Sequence, residues 1–208
     1  MLGKSKCVAQ GKTTMRISEP IDANSQTVEL PPTILTDYGS VQLVADVLHV
    51  NDVPFLTSIS NHLHYGTSKA VDNLKAPTLE DGLKNVIRSY AIRGFSIGMM
   101  FLDIQFKSLK DRNVLGVNVC IVSRGKHVKQ IERFHRVIEE RCRCYHAMQP
   151  YDSLPRMMVV HLMITVIFYT NTFVWRSGVS QVLSPLAIVE GTSVDFNLHF
   201  KVIFGEFV

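Results

Sequence analysis

The chain has 208 residues, 46% of them hydrophobic and 19% charged, with a formal net charge of +4 and a pI near 8.9. That length and apolar content predict one sizeable core and argue against two full domains, while the mild positive charge suits a polyanionic partner without requiring one. Four cysteines in a chain this long exclude a disulfide framework and fit a reducing compartment.

Residues 1–40, with Gly3-Lys-Ser-Lys-Cys7, Gln10-Gly-Lys-Thr-Thr14 and the Pro31-Pro32 pair, hold turn formers without sustained periodicity. They read as a disordered leader. Gly11-Lys12-Thr13 is like the end of a phosphate-binding loop, but the Gly-rich first half and the preceding strand are missing, which makes it a chance match. No apolar signal-peptide core follows the first basic residues.

Order is expected from Val41. Val41 to Val50 and Phe55 to Ser60 are β-rich runs around the turn-forming Asn51-Asp-Val-Pro54, which predicts a hairpin. A carboxylate inside an apolar central strand is costly unless it is paired, hydrogen-bonded or cation-bound. Asp46 is therefore a candidate site residue, whereas Asp52 belongs to the turn. Asn61 to Thr67 is the place for a third strand. Thr78-Leu-Glu-Asp81 opens a helix with a Thr N-cap and an acid three residues on, its buried stripe running through Leu79, Leu83, Val86, Ile87 and Tyr90 and its C-cap at Gly94.

Phe95 to Asp103 reads as a buried strand whose last residue projects a carboxylate at the sheet edge. Val117 to Val122 is a second short strand, followed by the loop Ser123 to His127. Val128 to Arg143 is a helix, with Ile131, Phe134, Ile138, Cys142 and Tyr145 as its apolar stripe. Glu132 lies off that stripe among Lys129, Arg136 and Arg143, which by itself describes a solvated, salt-bridged face. His127, His135, Cys142, Cys144 and His146 do not suggest zinc, because a Cys-x-Cys pair on a helix cannot point both thiolates at one ion.

The nineteen residues Met157 to Trp175 carry no formal charge. They are just long enough to span a bilayer, but His161, Thr165, Thr170, Asn171 and Thr172 lower the hydrophobicity of the stretch. A loop with Gly178 follows, then a short helix with Ser184 as N-cap and Pro185 in its first turn. The terminal β-rich run is expected to continue in a longer parent chain.

Strand, strand, third strand, helix, strand, strand, helix predicts an α/β sandwich with a mixed sheet. Asp46, Asp103 and Glu132 fall in the order that a ribonuclease-H-like arrangement requires: one on the central strand, one at the end of its neighbour, one on the helix that follows. Carboxylates suit a pair of hard divalent cations held about 4 Å apart for phosphoryl transfer.

Val44-Ala-Asp46-Val47, Phe101-Leu-Asp103-Ile-Gln-Phe106 and Ile131-Glu132-Arg133 match acidic-triad motifs. Downstream, Leu183-Ser-Pro185-Leu-Ala-Ile-Val-Glu-Gly191 looks like a Thr-Pro-(Tyr/Phe)-Glu-Leu-Trp-x-Gly segment, and His199-Phe-Lys-Val-Ile-Phe204-Gly205 like a Leu-Arg-Val-Phe-Gly ending. On these segments the chain, from about Asp37 to Val208, resembles the integrase core of copia-type retrotransposon polyproteins, especially the divergent elements of algae and diatoms.

The resemblance implies a ribonuclease-H-like core over residues 41–175 with a C-terminal extension over 176–208. It implies that Asp46 and Asp103 ligate Mg²⁺ or Mn²⁺ and that Glu132 completes the catalytic site. Lys129 and Arg136 would contact DNA phosphate, residues 157–175 would pack a homodimer, and the protein would reside in the nucleus. The implied activity is DNA integration: end processing by water, then attack of a 3′-hydroxyl on a target phosphodiester.

The chain also departs from the family. Residues 104–131, twenty-eight in number, separate Asp103 from Glu132, where the family carries roughly thirty-five, so a loop that closes over the site would be shorter. Ile104 stands where a small or turn-forming residue is usual, and the upstream His-His-Cys-Cys zinc module is absent from these residues. Two other readings follow: a DNA-binding relic without catalysis, and a single-pass membrane protein spanning at 157–175.

Overall fold

Pro32, whose fixed φ suits the first turn of a helix, opens α1 (Pro32–Tyr38), and Ile34 anchors that helix in the core. The computed structural model describes residues 27–122, 129–196 and 204–205. Order thus begins before Val41: Thr27 bridges Thr192, and the Val28 N–H donates to the Gly191 carbonyl at 2.8 Å. A seven-residue helix is too short to reveal itself by periodicity. Residues 1–26, the rest of the expected leader, lie outside the described residues.

The run from Ser40 to Val50 is apolar on both faces, as a central strand must be, and forms β1 (Ser40–Val50). Asn51 and Asp52 both take positive φ, 45° and 59°, as a type I′ turn requires. This two-residue turn pairs Val50 with Val53 and sends β2 (Val53–Ser60) back antiparallel to β1. Asn61 to Leu63 then turn the chain instead of extending it, with the Leu63 N–H donating to the Asn61 carbonyl at 2.7 Å. The third strand, β3 (Gly66–Ala70), accordingly starts later than its sequence run suggests.

Helix α2 (Ala76–Ile92) begins two residues before Thr78, because Pro77 fits the first turn and has no N–H to leave unsatisfied. The Thr78 hydroxyl donates to Asn73 Oδ1 at 2.9 Å instead of capping the helix. The other end is as expected: Gly94, at φ +83°, donates to Ala91, and Phe95 donates to Tyr90, which makes a Schellman closure. Substitution Gly94→Ala forces a Cβ into the left-handed region, with only the Leu35 side chain nearby at 3.7 Å. A destabilisation of about 1 kcal/mol is expected, read as a lower urea midpoint at unchanged slope.

Strand β4 (Ser96–Leu102) runs parallel to β1, and a 3₁₀ turn (Ile104–Phe106) and α3 (Lys107–Asp111) lead to β5 (Val119–Ile121), parallel to β4. The sheet order is β3-β2-β1-β4-β5, so β1 is central and β4 lies beside it. Helices α4 (Lys129–Ala147), α5 (Arg156–Thr172) and α6 (Pro185–Glu190) complete the fold. Ser184 Oγ accepts from the Ala187 N–H at 3.2 Å, the expected N-cap of α6.

The two faces of the sheet carry separate cores. Leu43, Ala45, Leu56, Met100 and Leu102 pack with Leu79, Leu83 and Tyr90 of α2 and Leu186 and Ile188 of α6. Val44, Leu48, Phe55 and Ile59 pack with Ile131, Phe134, Ile138 and Cys142 of α4 and Val159, Leu162, Met163 and Val166 of α5. The result is a mixed sheet between two helical layers.

Helix α5 is buried along one side, and no helix among the described residues is long and apolar enough to cross a membrane. The reading of 157–175 as a span therefore gives way to a core helix. Its Asn171, 2% exposed, accepts from the Gly66 N–H at 2.8 Å and donates to the Gly66 carbonyl at 2.7 Å. Gly66 begins the edge strand β3, so the carboxamide occupies edge groups that would otherwise be open.

Candidate functional site

Parity along the strands sets which side chains share a face. Val44 and Leu48 belong to the α4 and α5 layer, whereas Leu43, Ala45 and Val47 face α2. Asp46 therefore points toward α4. On β4, Leu102 faces α2 and Phe101 the opposite side. Asp103 continues the extended backbone, with φ −74° and ψ 169°, and so returns to the side of Phe101.

The ladder pairs Ala45 with Leu102 and then stops. Asp46, on β1, and Asp103, just past the end of β4, each follow that last pair and share a face. Two carboxylates thus start from neighbouring positions where the sheet opens.

Each is oriented by its own chain. Asp46 Oδ1 accepts from the Val47 N–H at 2.7 Å and from Gln105 Nε2 at 3.3 Å. Asp103 Oδ1 accepts from the Ile104 N–H at 2.6 Å and caps the 3₁₀ turn. Ile104 opens that turn with its side chain 50% exposed.

Glu132 lies in the first turn of α4, where the helix dipole favours an acid. Lys129 and Arg136 are exposed at helical spacing from it. Ile131, beside Glu132, packs in the layer over Val44 and Leu48, so the helix start is on the face that bears both aspartates. The third acid does not close a ligand shell, since no group of three His, Cys, Asp or Glu among the described residues is placed to hold a metal. Hard oxygen donors of the right kind for Mg²⁺ or Mn²⁺ are present as an adjacent pair. The loop Ser123 to His127 and Val128, which lead into α4, lie outside the described residues.

Two residues with no role in the sequence reading join this site. Thr57, fully buried, pairs in register with Asp46, and its hydroxyl donates to the Asp46 carbonyl at 2.9 Å. The same oxygen lies 2.7 Å from His135 Nε2 on α4. Burial pushes the His135 imidazole down to about 4, against the opposing influence of Glu139 and Glu132. The signal for Thr57 was available: counting back from a two-residue turn at Asn51-Asp52 places it opposite Asp46. His135 had no comparable signal.

The remaining sulfur and nitrogen ligands are dispersed. Cys142 is buried among apolar side chains, with its thiol pushed up to about 11 by desolvation, while Cys144 on the same helix is exposed.

No family model and no curated protein matches the sequence. Among solved structures, the catalytic core domain of BIV integrase superposes with a TM-score of 0.52 at 15% identity, over 72% of this chain and 93% of that one. The chain shares the fold of that domain. The ribonuclease-H-like arrangement expected from the order of elements is therefore the observed one, with the first strand central and the aspartate-ending strand at its side.

Proposed function

We propose that this chain is an integrase-type domain that binds DNA and transfers phosphodiester bonds, with Asp46, Asp103 and Glu132 as its acidic residues. The observation that carries this reading is the placement of Asp46 on β1 and Asp103 just past the end of the adjacent parallel β4, each the residue after the last register pair, Ala45 and Leu102. Asp46 and Asp103 would hold Mg²⁺ or Mn²⁺, and the bound ion supplies charge neutralisation at the phosphate and activation of the attacking oxygen. Backbone N–H groups keep both carboxylates oriented. Lys129 and Arg136, exposed on the side of Glu132, would fix the DNA backbone without reading its sequence. In the reaction an oxygen of water or of a DNA 3′-hydroxyl forms a bond to phosphorus as the opposite P–O bond breaks.

A second copy packing on the exposed Met157 and Ile164 of α5 belongs to the same proposal. A second reading, DNA binding without catalysis, draws on the lack of a three-ligand group among the described residues. It expects salt-sensitive binding that is indifferent to divalent ions.

The test is strand rejoining on a branched DNA oligonucleotide with Mn²⁺ or Mg²⁺. Product from the native chain that vanishes in Asp103→Asn and in Glu132→Gln supports the enzyme. No product from folded protein with either ion leaves the binding-only reading.

A further inference from the structure

Within the apolar layer between the sheet and α4 runs a short polar chain from Asp46 through Thr57 to His135. A threonine hydroxyl has one proton to give. Thr57 directs it to the Asp46 carbonyl at 2.9 Å, so toward His135, 2.7 Å away, its oxygen must accept. The ring nitrogen facing it, Nε2, is then the one that carries hydrogen.

We propose that Thr57 and His135 form a positioning relay, with His135 held as the neutral Nε2–H tautomer, that locks the backbone at Asp46 to the turn of α4 following Glu132. The inference rests on the proposed function for its catalytic meaning, and on the hydrogen-bond geometry alone for its structural one. Three facts fit it. Thr57 is 0% exposed, so neither of its hydrogen bonds exchanges readily with water. Asp46 and Thr57 are register partners, so the hydroxyl reaches the strand at the acid itself and not at a neighbouring residue. His135 is one helical turn from Glu132, so a fixed ring fixes the azimuth at which that acid is presented. A half-buried imidazole that resists protonation is also what the relay requires, since its donor and tautomer then stay constant across ordinary working pH.

The relay separates positioning from packing. Thr57→Val keeps the volume and β-branching and removes only the hydroxyl that bridges the Asp46 carbonyl and the His135 ring, while Thr57→Ser keeps that hydroxyl. The first measurement needs no activity: a ¹H–¹⁵N correlation spectrum of the histidine rings, with His135 assigned by its loss in His135→Gln. The expected spectrum shows Nε2 protonated and Nδ1 bare in the native chain and in Thr57→Ser, and a mixture of tautomers in Thr57→Val. A protonated Nδ1 in the native chain, or a His135 signal indifferent to the Thr57 hydroxyl, would overturn the relay.

The second measurement is strand-rejoining kinetics. Thr57→Val should lower kcat by about tenfold, the equivalent of one ordinary hydrogen bond, with KM for DNA within about twofold, and Thr57→Ser should restore the rate. Equal losses in Val and Ser variants would overturn the catalytic meaning. If Thr57→Val does not fold, Thr57→Ser and His135→Gln carry the comparison. Absence of rejoining in the native chain defeats the proposed function, and the ring spectrum still decides the relay.

Discussion

Asp103→Asn is expected to lower strand rejoining by about a thousandfold or more while leaving the fold as stable as before. The catalytic loss follows from charge: the carboxamide removes one of two adjacent anions, and metal-assisted charge stabilisation in phosphoryl transfer is worth several kcal/mol. The retained stability follows from geometry. Asp103 Oδ1 caps the 3₁₀ turn by accepting the Ile104 N–H at 2.6 Å, and an asparagine oxygen can accept the same bond. The variant's thermal midpoint without divalent ions should therefore equal the native one. Adding Mn²⁺ should raise the native midpoint by mass action and leave that of Asp103→Asn nearly unmoved. A native midpoint indifferent to Mn²⁺, or full activity in the variant, would remove Asp103 from the site.

The other large effect is on stability. Asn171→Asp is expected to cost about 3 kcal/mol or more, enough to endanger a domain of ordinary stability. The native carboxamide presents both a donor and an acceptor to Gly66, at 2.7 Å and 2.8 Å, from a position 2% exposed. An ionised aspartate keeps the acceptor but turns its second oxygen against the Gly66 carbonyl, and the charge is buried besides. The loss should shrink as pH falls, because a protonated carboxyl regains a donor. Asn171→Ala, which leaves both Gly66 groups without that partner, should cost about 2–5 kcal/mol with no such recovery. Urea unfolding at neutral and acidic pH distinguishes the two variants, and a neutral effect of both would mean that β3 does not depend on this edge contact.

Much of the molecule was legible because its elements are amphipathic. The stripe Ile131, Phe134, Ile138 and Cys142 is the buried side of α4, as its spacing predicts. The apolar run before Asp103 is β4, which ends at Leu102 and leaves Asp103 to cap the next turn, and the uncharged stretch after Met157 is a core helix. Asp46 stood out for the cost of a carboxylate in an apolar strand, and the structure shows how that cost is met: a partly exposed position where the β4 ladder ends, a backbone N–H from Val47, and Gln105. Errors fell at the boundaries. Thr78 reads as an N-cap by local rule, and Pro77 moves the start upstream; Asn61 to Thr67 reads as extended, and a turn takes its first half. Helix α1 has too few residues for any period to emerge.

Local pattern was sufficient for the longer elements and the mixed α/β class, because periodicity and burial cost are properties of short segments. Register, and everything that depends on register, was decided only by packing. That Asp103 falls beside Asp46 comes from where the parallel ladder begins and shifts near Val41, and that Thr57 and His135 meet over the Asp46 carbonyl comes from α4 settling on a particular row of the sheet. Asn171 finds Gly66 across 105 residues for the same reason. Such contacts join segments whose separation along the chain carries no periodic signal, and a one-residue slip of its strand would turn Asp46 or Thr57 to the other face.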